Sequence, residues 1–167
     1  MSTPVLATKL FAPARRSQLV ARPRLTAHLD ATLGAGHRLT LVSAPAGFGK
    51  TTVVSDWLVH LDQRRSHIHV GWLSLDDGDN DLPRLLTHLM AALNTIGLDV
   101  DATVLDSLPT AGAAPALTAL VNDVTRASEG AAGDHWVLVL DDYHAVGASQ
   151  VHEAVTFLLE HLPDHLH

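Results

Sequence analysis

One segment constrains this chain more than any other, because Ala44 to Thr51 has the pattern A-x-x-x-x-G-K-T. The apolar, β-branched run Arg38–Ser43 precedes it and predicts a strand, and a helix is predicted from Lys50 to about Leu61. Glycines between a strand and a helix let backbone N–H groups converge on one anion, and the helix N-terminus adds its positive dipole. The pattern therefore predicts a phosphate-binding loop (P-loop, Ala44–Thr52). A plain structural turn is the alternative.

The residue types of the P-loop fit this chemistry. Ala44 stands where glycine is usual, and its methyl group is tolerable if the backbone there is not left-handed. Lys50 is predicted to reach the β- and γ-phosphates and to act in catalysis, Thr51 to give a hydroxyl to Mg²⁺, and Thr52 to donate to the α-phosphate. The predicted nucleotide contacts of the loop are Ala46, Gly47, Phe48, Gly49, Lys50, Thr51 and Thr52.

A pair of acids follows a second apolar run. The strand predicted at Trp136–Leu140 ends directly before Asp141 and Asp142. The C-terminal edge of a parallel sheet is where ligands of open α/β folds bind. Asp141 is therefore predicted to hold Mg²⁺, and Asp142 is a predicted catalytic residue that orients the attacking water. The alternative is that both are acids in an ordinary turn.

Strands and helices alternate along the rest of the chain. A further strand is predicted at Ile68–Leu73, and its apolar character, like that of the others, suits burial on both faces. The alternation predicts an α/β fold with a parallel sheet and flanking helices, the P-loop NTPase architecture. The other predicted helices are Leu25–Leu33, Leu82–Ile96, Pro115–Ala127 and Ser149–His161.

The chain divides into a basic N-terminal arm, residues 1–24, and a partial P-loop NTPase domain, residues 25–167. Prolines at positions 4, 13 and 23 predict an extended arm. The sequence is 47% hydrophobic and 17% charged, as in globular domains, and its net charge of −7 argues against nucleic-acid binding by this segment. No apolar run is long enough for a signal peptide or membrane helix. We therefore expect a cytoplasmic location without a membrane partner.

Several segments together resemble one family. Thr40–Thr52 resembles the P-loop of large ATP-dependent LuxR-type (maltose-activator-like) transcriptional regulators, which belong to the signal-transduction ATPases with numerous domains (STAND). The resemblance spans essentially the whole chain. The other similar segments are Thr8–Pro13, Val20–Leu25, Trp72–Asp76, Leu140–His144 and Phe157–Pro163.

The resemblance implies an ATP-binding switch module in which slow hydrolysis resets an assembly-competent state, with ATP and Mg²⁺ as ligands. It implies that Arg22 contacts the nucleotide near the adenine and ribose; a helix-entry residue is the alternative. It also implies a full-length protein that self-assembles and binds DNA through a C-terminal domain absent here. A further strand, between the P-loop strand and the Asp141 strand, would follow His167. We therefore expect a truncated fragment that folds marginally and hydrolyses little ATP.

Other functions remain open. A free-standing P-loop small-molecule kinase would need an arginine-rich lid, and Arg126 is the only arginine after Arg84. A fragment that binds nothing is a third possibility. The absence of a guanine-specific Asn/Thr-Lys-x-Asp motif favours ATP over GTP. The 12 histidines are predicted to lie on the surface or in the tail and not to bind a metal, and the acidic run Asp76–Asp81 is predicted to cap the next helix.

Overall fold

The structure is a computed structural model that describes residues 5–14, 20–64, 67–108, 112–131 and 133–167. Among these residues it contains five helices, two strands and four short 3-10 helices. The helices are α1 (Pro23–Gly34), α2 (Lys50–Arg64), α3 (Leu82–Asn94), α4 (Ala113–Glu129) and α5 (Ser149–His161). The strands are β1 (Ile68–Ser74) and β2 (His135–Asp141). The 3-10 helices are Ala7–Leu10, Asp77–Asn80, Ala102–Ser107 and Tyr143–Ala145.

β1 and β2 pair in parallel, in a register that joins Ile68 to His135 and Ser74 to Asp141. Their backbones are closely covered at Gly71, where an added Cβ would lie 3.2 Å from the Leu138 side chain and 3.4 Å from the carbonyl oxygen of Ala92. A glycine at this position lets α3 pack directly on the sheet.

The helices cover both faces of this sheet, as predicted. On one face α3, α4 and α5 bury a large core around Leu73, whose side chain is fully buried. On the other face α1 and α2 enclose a smaller core that contains Trp57, Trp72 and Val137. Apolar residues on both faces of each strand explain why the strands appear in the sequence as largely hydrophobic runs. The α/β prediction with flanking helices is confirmed.

The predicted strand at Arg38–Ser43 is wrong. The free edge of β2 is instead occupied by residues 165–167, since the Trp136 and Leu138 amides donate to the carbonyls of His165 and His167, each at 2.8 Å. The resemblance implied that a further strand, next to the Asp141 strand, would follow His167. The residues that pair with this edge of β2 instead begin at His165.

Arg38–Ser43 forms no strand because its backbone N–H and C=O groups have no ladder partner within the described residues. Thr40 Oγ1 lies 2.8 Å from His167 Nε2, and Arg38 donates to the carbonyl of Leu162 at 2.7 Å. The segment therefore lies beside residues 165–167 through side-chain contacts, and within the described chain it has no ladder hydrogen bonds. A strand requires partners for its N–H and C=O groups, which local β-propensity does not provide.

Several element boundaries also differ from prediction. The N-terminal arm is not extended throughout, because Ala7–Leu10 form a 3-10 helix and α1 begins at Pro23, a favourable first position for proline. Residues 1–4 and 15–19, which include Arg15 and Arg16 of the basic arm, lie outside the described residues. None of the described helices is long and apolar enough to cross a membrane.

Candidate functional site

The P-loop connects residue 43 to α2 as an exposed turn. The amide of Phe48 donates to the carbonyl of Pro45 at 3.3 Å, and Gly47 and Gly49 have left-handed φ angles of 80° and 79°. These two glycines are needed for the turn, because a side chain at such φ values is strained. Ala44 is not left-handed, so its methyl group adds no backbone strain. Ala46, Gly47 and Phe48 are exposed at the tip, and Thr52 is exposed on the first turn of α2.

The structure brings together Thr51 and Asp141, which are separated by 90 residues in sequence. The Thr51 hydroxyl, in the first turn of α2, donates to the Asp141 carboxylate, with Oγ1 2.9 Å from Oδ1 and 3.1 Å from Oδ2. Asp141 is the last residue of β2 and is half-buried. A hydroxyl and a carboxylate side by side are the oxygen donors that Mg²⁺ prefers, so this pair fits the metal that the P-loop implies.

Burial raises the pKa of Asp141 above its ordinary value. The hydrogen bond from Thr51 acts in the opposite direction, and the neighbouring charge of Asp142 adds to the increase. The Asp141 carboxylate is therefore electrostatically under-compensated in the free protein. A cation bound beside it would stabilise the ionised form.

Lys50 folds back over the P-loop. Its ammonium group donates to the carbonyl oxygens of Ala44, at 2.8 Å, and Pro45, at 3.3 Å. Both contacts are exposed to solvent, so exchanging them for a phosphate requires no change in the protein core. A lysine ammonium binds phosphate as a mobile point charge, which suits this position.

Arg22 is placed beside the P-loop by the end of the N-terminal arm. Its Nη1 donates to the carbonyl of Phe48 at 3.1 Å, and an added Cβ on Gly49 would lie 3.7 Å from Nη2. Arg22 is also the residue that precedes α1. Its backbone thus has the helix-entry position that was the alternative prediction, while its guanidinium lies against the P-loop.

Asp142 has an unusual backbone conformation. With φ 56° and ψ 33° it is the only non-glycine residue of positive φ in the described part of the chain. Its carbonyl accepts from the amide of Ala145 at 2.9 Å, and its side chain is exposed. Strained residues of this kind are concentrated at functional sites, and aspartate is one of the few non-glycine residues that adopt the left-handed region.

The acidic loop (residues 76–81) lies at the same edge of the sheet, because the amide of Leu75 donates to the carbonyl of Asp141 at 3.0 Å. It caps helices as predicted. Asp76 forms a capping box with Asp79, and the Asp81 side chain accepts from the amide of Arg84 at the start of α3.

The buried charges at this loop were not predicted from the sequence. Asp79 is fully buried, with Lys9 Nζ 2.6 Å from Oδ2 and His88 Nδ1 2.7 Å from Oδ1. The expectation that the histidines lie on the surface or in the tail is therefore wrong for His88, which is 1% exposed. No pattern in the sequence indicates this cluster, because Lys9 and Asp79 are 70 residues apart and both residue types are usually exposed.

Comparison with known proteins gives one family and a group of similar regulators. The AAA ATPase domain family matches residues 14–167. The HTH-type transcriptional regulator MalT of Cronobacter sakazakii is 35% identical, and that of Yersinia pestis is 34% identical, each over 97% of this chain. The chain spans only 17% of the length of either relative. These matches support the prediction of a nucleotide-binding regulator module and do not support the alternative of a free-standing kinase.

Proposed function

Because the chain belongs to the AAA ATPase domain family, whose domains bind nucleotides, we propose that it is the ATP- and Mg²⁺-binding switch module of a signal-responsive transcriptional regulator. The contact between Thr51 and Asp141 is the observation that carries this proposal. It joins the helix after the P-loop to the end of β2, and each side contributes an oxygen donor suited to Mg²⁺.

In this function each group of residues would have a separate role. The backbone of Ala46, Gly47, Phe48 and Gly49 would surround the phosphates, Lys50 would neutralise their charge, and Thr52 would donate to the α-phosphate. Thr51 and Asp141 would hold Mg²⁺, which neutralises negative charge on the phosphates when bound. Asp142 would orient the attacking water, and Arg22 would contact the nucleotide from the arm.

The regulator role is supported by the similarity of this chain to the MalT transcriptional regulators. We propose that residues 1–24 form the arm and residues 25–167 part of the NTPase domain. The full-length regulator would self-assemble in its ATP-bound state, would bind DNA through a further domain, and would work in the cytoplasm. ATP hydrolysis by this segment would be weak, as the slow hydrolysis that resets such a switch implies.

Calorimetric titration with Mg·ATP, with Lys50→Ala and Arg126→Ala alongside, tests the proposal. Both variants lose one basic side chain, but Arg126 is an exposed residue of α4 paired with Asp123. We expect Arg126→Ala to bind like the unmutated chain and Lys50→Ala to lose binding. At a ligand concentration of a hundred times Kd, the unmutated chain should also gain ~2.7 kcal/mol in stability. Equal binding by the two variants would contradict the site, and tighter binding of GTP would contradict the choice of ATP.

A further inference from the structure

Asn80 joins the acidic loop to the segment that follows Asp142. Its Nδ2 donates to the carbonyl of Ala145 at 3.1 Å, and its Oδ1 accepts from the amides of Gly147 and Ala148, each at 2.8 Å. One side chain thus satisfies three backbone groups of a loop 65 to 68 residues away in sequence. Such multiple bonding fixes a loop that has little regular structure of its own.

The same bonds reach Asp142 through a single residue, Ala145. Ala145 accepts from Asn80 through its carbonyl, and its amide donates to the carbonyl of Asp142 at 2.9 Å. Asp142 is left-handed, a conformation that persists only when the surrounding structure fixes it. Asn80 therefore supports the turn that orients the Asp142 side chain.

Asn80 is itself fixed by the buried neighbour Asp79. The Asp79 carboxylate accepts from the amide of Asp76 at 2.8 Å and from Lys9 at 2.6 Å. Asn80 ends the 3-10 helix Asp77–Asn80, so these contacts hold the backbone that presents its side chain. An ordinary solvent-exposed loop would not bury a carboxylate and an ammonium group, because both lose hydration.

We propose that Asn80 is a positioning residue for Asp142, and that the Lys9–Asp79 pair keeps Asn80 in place. The inference rests on the proposed function, since it assigns Asn80 to the γ-phosphate end of the nucleotide site. Asn80 acts only through the 145–148 segment and touches no ligand. Its loss weakens the state in which Asp142 orients water, and it leaves the diphosphate-binding part of the P-loop intact.

Two measurements on the same chain test this. Amide hydrogen exchange by NMR compares the unmutated chain with Asn80→Ala and with Asn94→Ala. Asn94 is a matched control, because its Oδ1 likewise accepts from a loop amide, that of Val100, at 2.8 Å. We expect Asn80→Ala to exchange at least about fivefold faster at Ala145, Gly147 and Ala148. Asn94→Ala should leave these amides unchanged, and Asn80→Asp, which keeps the acceptor, should restore protection at Gly147 and Ala148.

Calorimetry then distinguishes a role of Asn80 in positioning Asp142 from a general loss of order in the protein. Mg·ADP with aluminium fluoride mimics the γ-phosphoryl group during transfer, and Mg·ADP alone does not. We expect Asn80→Ala to bind Mg·ADP like the unmutated chain and to lose at least about fivefold in affinity for the fluoride complex. Equal losses of affinity for both ligands, or no loss for either, would overturn the inference. It would also be overturned if aluminium fluoride did not increase the affinity of the unmutated chain for Mg·ADP. An unmutated chain that does not bind Mg·ADP would instead overturn the proposed function.

Discussion

The P-loop region and the acidic loop lie at the same edge of the sheet but are stabilised very differently. Before and within the P-loop, large apolar side chains face solvent: Leu41 is 80% exposed and Phe48 is 62% exposed. At the acidic loop, even the charged side chains of Lys9 and Asp79 are buried. Local stability follows buried contacts, so the two regions should differ in how much of their order depends on a ligand.

This difference indicates that one part of the site is ordered without a ligand and that another part depends on one. The β2 end of the proposed site, with Asp141, Asp142 and the acidic loop, is preorganised by hydrogen bonds among the segments that meet at this edge of the sheet. The P-loop depends on two left-handed glycines and a few exposed hydrogen bonds, and it would gain most order from a bound phosphate. In the proposed switch module, the acidic loop would stay fixed and the P-loop would respond to the ligand.

The largest effect is expected from a substitution that breaks the buried cluster of Lys9, Asp79 and His88. We expect Asp79→Ala to destabilise the chain by ~3 kcal/mol, because it leaves Lys9 and His88 buried without their carboxylate. Asp77→Ala, in the same turn but exposed, is the control and should change stability by less than ~0.5 kcal/mol. Urea unfolding measures both. Similar losses for the two variants would mean that burial of the cluster contributes nothing to the contrast.

A second test concerns the covered backbone of β1. Gly71→Ala should cost ~2 kcal/mol, because the new methyl group would lie 3.2 Å from the Leu138 side chain and 3.3 Å from that of Ile96. Gly34→Ala at the end of α1 meets nothing within 4 Å and is the matched control, with little change expected. Thermal unfolding compares the two. A Gly71→Ala chain as stable as the control would contradict the tight packing of α3 on the sheet.

A smaller effect on stability depends on pH. It has opposite signs for Asp76 and Asp141, two acids at this edge of the sheet. The hydrogen bond from Lys9 lowers the pKa of Asp76, whereas burial raises the pKa of Asp141. Asp76 therefore contributes stability above its unfolded pKa, which is lost as the pH falls through the lower folded value. The contribution of Asp141 is present below its unfolded pKa and is lost as the pH rises through the higher folded value.

The corresponding measurement is urea unfolding of Asp76→Asn and Asp141→Asn across the acidic and neutral range, without nucleotide. Near neutral pH we expect Asp76→Asn to be less stable, and Asp141→Asn more stable, than the unmutated chain. Both differences should shrink in acid, where the native carboxyl groups are also uncharged. The same sign for both variants near neutral pH would show that the two carboxylates do not have opposite electrostatic environments.

The smallest effect is expected in the exposed segment before the P-loop. Leu41→Ser should change stability by less than ~0.5 kcal/mol, because the side chain is already 80% exposed. Leu86→Ser, at a position 1% exposed in the core, is the contrasting variant and should be strongly destabilising. Chemical denaturation of both variants checks this. A large loss from Leu41→Ser would mean that the segment is packed in solution and that the contrast between the regions is overstated.

The predictions from sequence succeeded where local patterns decide the structure. The order of glycines, Lys50 and Thr51 specifies a turn and a helix start, and the apolar run before Asp141 specifies a buried strand. Arg38–Ser43 has the same β-propensity, but a strand also needs a partner, and its neighbour in space is 120 or more residues away. The burial of Asp79 likewise depends on Lys9, 70 residues earlier, and no spacing rule connects the two.

The central proposal is that Thr51 and Asp141 bind Mg²⁺ at one end of the nucleotide site. One comparison tests it directly. ATP is titrated calorimetrically into the unmutated chain and into Asp141→Asn, with Mg²⁺ and with a chelator. We predict that Mg²⁺ strengthens ATP binding by the unmutated chain, that Asp141→Asn loses this gain, and that binding without Mg²⁺ is similar in both, because Lys50 and the P-loop remain intact. The same gain from Mg²⁺ in both chains would contradict the assignment of Asp141 and Thr51 as the metal-binding pair.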